Sequence, residues 1–197
     1  NQEIGELPTA EYSGMVFSGW NINADGSGEF VTSEIVYQWD NDIEIYAIWY
    51  TEGLEFILNE AEYTVVKGTA VNKENIIIPY YYNNLPVTSI GQEAFSYYGA
   101  LTSITIPSSV TSIGSYAFSD CISLASLTIP SSVTSIGYGA FAGCYPISEI
   151  SVNEKNTVYK SEGDCLIEKS SNTLVFGCKN SIIPDSVVRI GQGAFDF

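Results

Sequence analysis

The chain has 197 residues, 45% of them hydrophobic, with 7 basic and 23 acidic side chains, a formal net charge of −16 and no histidine. Such a length holds one elongated domain or two small ones with a real apolar core. The charge excludes nucleic acid and anionic membranes as partners, since phosphate binding needs clustered Lys and Arg; the missing histidine removes Ser-His-Asp and Cys-His catalysis.

Along the chain, thirteen acidic residues precede Lys67, the first basic one, which marks a boundary between residues 50 and 70. Residues 1–52 hold two strand-like runs, "MVFSGW" and "IEIYAIW", with aromatic anchors at Phe17, Trp20, Tyr46 and Trp49. Between them, "NINADGSGEFVT" places Asn21, Asn23 and Asp25 as the first, third and fifth ligands of a calcium loop, with Gly26 sixth. Position twelve is Thr32 rather than a bidentate Glu, so a tight Asp-Gly turn, its Asx side chains bonding local backbone, is preferred. Asp40, Asp42 and Glu44 alternate on one strand face and read as solvated carboxylates rather than a cation site. No metal or cofactor is expected. No apolar run approaches the roughly 18 residues that span a bilayer, so no membrane insertion is expected.

From residue 53 onward the chain repeats. Ile-Gly recurs at Ile90-Gly91, Ile113-Gly114 and Ile136-Gly137, 23 residues apart, and again at Ile190-Gly191, 54 residues further on. Ala94-Phe95, Ala117-Phe118, Ala140-Phe141 and Ala194-Phe195 keep the same phase, and "IPSSVTSIG" is spelled twice without change. A period in the twenties with an L-x-x-L-x-L core predicts a leucine-rich-repeat solenoid, in which no coil buries its apolar side alone. Each Gly after Ile is expected at a corner of positive φ, and each Ala-Phe on a short helical or irregular turn. Residues 153–180 interrupt the phase and read as a hairpin, "CLIEK" and "TLVFGC" around "SSN".

Cys121 and Cys144 share one phase and read as a buried thiol ladder, with a disulfide between stacked strands the alternative. Cys165 and Cys178 flank the hairpin, either bridged across it or free. Without C-x-x-C spacing, zinc is not expected.

"LTSITIPSSVTSIGSYAFSDC" and "LASLTIPSSVTSIGYGAFAGC" resemble the BspA-type leucine-rich repeat of bacterial surface proteins, over about residues 53–197. Residues 53–88 resemble the β-hairpin cap that precedes such arrays, and the hairpin insertion resembles the family's variant unit. Gly-Trp, Asp-Gly-Ser-Gly and Tyr-Ala-Ile-Trp in residues 1–52 resemble a partial internalin-type B repeat (Listeria–Bacteroides repeat), which implies a small β-grasp-like (α+β) module. The expected fold is therefore mainly β with short helical turns, a module followed by a solenoid. The abrupt polar start and the stop at "GAFDF" read as a piece of a longer protein.

Two sets of residues are candidates for ligand contact. Ser103, Thr105, Ser126, Thr128, Glu149 and Ser151 alternate with buried positions and form a polar ladder. Tyr80, Tyr81 and Tyr82 supply aromatic anchors, although covering the open end of the first coil is the preferred role. The resemblance implies a non-enzymatic, secreted or cell-surface adhesin that binds a host matrix or cell-surface protein or a glycan. The alternative is a stalk that displays other domains.

Overall fold

The structure, a computed structural model, describes residues 7–9, 11–32 and 43–196. Asp40 and Asp42 lie outside the described residues. The first three strands, β1 (Met15–Asn21), β2 (Phe30–Val31) and β3 (Tyr46–Thr51), form an antiparallel sheet in the order β2-β1-β3. Aromatic side chains hold one side of it, Phe17 meeting Trp49 at 5.2 Å and Trp20 at 5.8 Å between ring centroids. Glu44 is exposed and accepts a hydrogen bond from the Tyr46 hydroxyl at 2.7 Å.

The chain then builds a stack of coils. β4 (Glu55–Asn59) and β5 (Glu62–Val66) make an antiparallel hairpin at its start. β6 (Asn75–Ile77) opens the first coil, and β7 (Tyr81–Tyr82) turns through Asn83-Asn84, both at positive φ, into β8 (Leu85–Ile90). Asn tolerates that backbone better than most residues, which suits a two-residue hairpin turn. Three walls follow. In the first, β5, β8, β10 (Ser112–Ile113) and β12 (Ser135–Ile136) pair in parallel, with Ser89, Ser112 and Ser135 in one row and Ile90, Ile113 and Ile136 in the next. In the second, β6 pairs with β9 (Ser103–Thr105), and β11 (Ser126–Ile129) with β13 (Glu149–Val152), again in parallel.

The third wall is made of the Ala-Phe segments, and here the structure corrects the sequence reading. No helix is present among the described residues. Glu93 and Tyr97, then Tyr116 and Asp120, then Gly139 and Gly143, all have positive φ, and a left-handed residue every fourth position cannot continue a right-handed helix. The backbone is satisfied in alternation instead. Ala94, Ser96 and Tyr98 donate to carbonyls three residues back, while Glu93, Phe95 and Tyr97 donate to Ser115, Ala117 and Ser119 of the next coil at 2.7–3.0 Å. The glycines after each Ile are also not at positive φ. They mark close approach: a Cβ on Gly114 would lie 2.6 Å from the backbone nitrogen of Gln92 and the carbonyl carbon of Gly91. Only a residue with no side chain lets coils come that near.

Between the walls, Phe95, Phe118 and Phe141 are fully buried and stack almost parallel, at 5.5 and 5.7 Å. Leu101, Leu124 and Ile147, with Val110 and Val133, fill the rest of the core at 0% exposure, each position repeated coil by coil. Cys121 and Cys144 are buried free thiols whose sulfurs approach the carbonyls of Phe95 and Phe118 at 3.2 and 2.9 Å. The contact with Cys121 first, and burial second, push the Cys144 thiol well above its ordinary pKa. In the first coil Tyr98 takes this place. Its hydroxyl accepts the Lys73 N–H at 2.7 Å beside the carbonyls of Ala70 and Lys73, sealing the end of the core against residues 70–73.

Residues 153–180 carry β14 (Tyr159–Glu162), β15 (Cys165–Glu168) and β16 (Thr173–Gly177), an antiparallel run, and β17 (Arg189–Ile190) pairs in parallel with β16. Through β16 the insertion rejoins the stack. Gly191 donates to Leu174 at 2.8 Å just as Gly137 does to Ile113, and Phe176 packs on Phe141 at 5.4 Å. The bridge considered for Cys165 and Cys178 is not formed; both are free. The register sets Cys165 opposite Gly177, so Cys178 falls one position later and packs into the main core, while Cys165 belongs to a small cluster with Ile167, Leu174 and Ala194.

Candidate ligand-binding groove

A buried hydroxyl ties the N-terminal sheet to the stack. Thr51 Oγ1 accepts the Ile77 N–H at 2.8 Å and faces the Asn75 carbonyl at 3.4 Å. Beyond this contact lies an open groove of about 490 Å³. One side is β3, at Ala47, Ile48 and Trp49, with the turn at Ala24-Asp25; the other is the row of strand ends at Pro79, Pro107, Pro130 and Asn153. Proline has no N–H to continue a ladder, so each strand stops there and leaves an apolar ring on the groove floor.

Polar groups stand along that floor: the hydroxyls of Thr105, Ser108, Thr128 and Ser131, the Asn153 amide and the Tyr80 phenol. The Ser27 side chain first, and its backbone N–H second, hydrogen-bond Asp25 and hold its carboxyl below the usual range, so it is ionised at neutral pH. Burial first, then Tyr81 and the Asp25 charge, raise the Tyr80 phenol, which stays protonated as a donor. No Lys or Arg lines the groove. Its chemistry suits a neutral or cationic polar ligand laid over apolar rings.

The turn preceding this wall is held locally. Asn21 donates its amide to the carbonyls of Gly26 and Gly28 at 3.2 and 2.9 Å, and its side-chain oxygen accepts the Asn23 N–H at 2.9 Å. Among the described residues no group of three or more His, Cys, Asp or Glu is placed to hold a metal ion.

The candidate residues separate into three groups. Thr105, Thr128 and Tyr80 line the groove. Ser103, Ser126, Glu149 and Ser151 stand on the same polar ladder beyond it: Ser126 is opposite Glu149, Thr128 and Ser151 share a hydrogen bond at 3.0 Å, and the Ser103 hydroxyl bonds the Asn75 side chain. Tyr81 and Tyr82 turn elsewhere, into a separate cleft of about 280 Å³ with Phe17, Phe30 and Tyr50. Tyr82 stacks on Phe56 at 4.0 Å and meets Tyr63 edge-on at 5.1 Å within the stack, while Tyr50 of β3 meets Tyr82 and Phe56 edge-on at 6.1 and 5.8 Å and so joins sheet and stack. Asp25 and Trp49 were visible in the sequence as turn and sheet anchor; what escaped it was that folding gathers them around one groove with the strand ends.

No protein-family model matches the chain, and no curated protein matches it. Among solved structures, that of the pneumococcal vaccine antigen PcpA aligns with a TM-score of 0.53 at 25% identity, over 60% of this chain and 30% of that one. The structural neighbours are bacterial leucine-rich repeat proteins. They include a leucine-rich cell-surface protein of Faecalibacterium prausnitzii, at 20% identity and TM-score 0.41 over 73% of this chain and 72% of that one. A leucine-rich repeat protein of Eubacterium ventriosum aligns at 20% identity and TM-score 0.35, over 73% and 55%. The present chain thus spans under a third of the length of the pneumococcal antigen.

Proposed function

We propose that this chain is the recognition part of a bacterial surface or secreted protein, a non-enzymatic solenoid of BspA type preceded by a partial B-repeat module. Its ligand is a protein or glycan of a host surface or matrix. The observation that carries this reading is the groove between sheet and stack, where Asp25, Tyr80, Thr105 and Thr128 converge over a proline floor. Pockets with an apolar lining and a few placed polar groups are the usual form of a binding site.

The test is a titrated screen of the chain against immobilised matrix proteins and a glycan panel, repeated with Thr105→Lys and Thr128→Lys. Both positions are exposed, so the variants fold and simply obstruct the groove. Saturable binding that drops about tenfold or more in both variants supports the proposal. Flat responses from the folded chain favour the stalk that displays other domains.

A further inference from the structure

The wall of Ala-Phe turns is a second surface, away from the groove. Exposed tyrosines at 97, 116, 138 and 145 stud its outer side. Tyr97, Tyr116 and Tyr145, with Ser119, Asp120 and Asp196, surround a shallow cleft of about 260 Å³ floored by Ala142 and Gly143. The turns that build it run continuously from coil to coil, Tyr97 donating to Ser119, Asp120 to Ala142 and Gly143 to Asp196 at 2.7–2.8 Å.

Two of these tyrosines occupy left-handed backbone positions that other coils fill with glycine or, at Glu93 and Asp120, with an acidic residue. Tyr116 has φ of 55°, where the next coils hold Gly139 at 61° and Gly193 at 73°. Tyr97 has φ of 53°, where the third coil holds Gly143 at 72°. A bulky residue in the left-handed region is strained, and such strain persists where something else requires the side chain. Packing does not require Tyr97, which is 79% exposed. Tyr116 is braced, edge-on to Tyr138 at 5.4 Å and lying over Gly139, whose missing side chain makes room for the ring.

The charge lining the cleft has one sign. Asp120 and Asp196 border the cleft, and no Lys or Arg lines it. Tyrosine faces attract cations and carboxylates pair with them, while the net charge of −16 draws basic partners in. We propose that this wall docks a Lys- or Arg-bearing segment of a partner protein, the cationic group seated between the rings of Tyr97 and Tyr116 and the carboxylate of Asp120.

The test uses the whole chain with acetylated tetralysine and tetraarginine amides as probes, against tetraglutamate amide and maltotetraose. Saturable binding of the cationic peptides alone, weakening as salt rises, is expected. Tyr97→Gly and Asp120→Asn should each lower that affinity about fivefold or more, whereas Glu62→Gln, on the distant hairpin, leaves it unchanged. Tyr97→Gly should also melt at the same or a higher temperature, because glycine relieves the backbone. Equal losses in Glu62→Gln would reduce the effect to bulk charge and overturn the proposal. So would binding of maltotetraose alone, or unchanged peptide binding in Tyr97→Gly.

Discussion

The inner coils and the last coil are written in nearly the same letters and bury them differently. Ile113 is 1% exposed and Phe118 0%, but their counterparts Ile190 and Phe195 are 53% and 36% exposed. Ile129 is at 0% while Ile183, in the same phase, is at 45%. An apolar side chain in this protein is therefore buried by its neighbouring coil, not by its own. At the other end the first coil is closed, by the β4–β5 hairpin and by Tyr98 in the place of the later cysteines.

Five substitutions would break or sharpen that contrast. The largest effect is expected from Phe118→Ala, about 3–5 kcal/mol, since the ring lies between two others in a closed core; Phe195→Ala, its ring a third exposed, should cost about 1–2 kcal/mol. Urea unfolding of both variants measures the gap. Next comes Gly114→Ala, about 1–3 kcal/mol, because its Cβ meets the backbone of the preceding coil at 2.6 Å. Gly99→Ala, whose nearest foreign atom would lie at 3.6 Å, should stay within about 0.5 kcal/mol in the same assay. Thr51→Val leaves the Ile77 N–H without its acceptor and should cost about 1–2 kcal/mol.

The smallest effect is in pH. Burial is the chief cause raising the Tyr159 phenol above its ordinary value, and its oxygen accepts the Ile136 N–H at 3.1 Å. A raised folded pKa means that the stabilisation is whole below the unfolded value of about 10 and is lost as pH climbs through the folded one. The stability difference between the native chain and Tyr159→Phe should accordingly narrow above about pH 10 in urea titrations.

The repeat phase could be read from the sequence because stacking demands identity at fixed intervals. Ile90, Ile113 and Ile136 share a row, and Phe95, Phe118 and Phe141 share a stack, in the register their spacing implies. The role of Gly114 was misread because close approach and positive φ both select glycine, and one letter does not distinguish them. The turn wall was misread as partly helical because its signal is carried by Glu93, Tyr97 and Tyr116, residues that ordinarily avoid the left-handed region. The polar ladder was legible from strand alternation, while the groove was not. Asp25 and Thr128 are more than a hundred residues apart, and contacts through Thr51 and through the Tyr50–Tyr82 and Phe30–Tyr81 ring pairs set their two regions side by side.

The most direct test of recognition at that groove is amide hydrogen exchange on the chain alone and on the chain saturated with a matrix protein or glycan that it binds in the screen. Slowed exchange at residues 77–80, 105–108 and 128–131, with the outer Ala-Phe turns unchanged, is the expected result. Protection elsewhere with those three segments unaffected would contradict it.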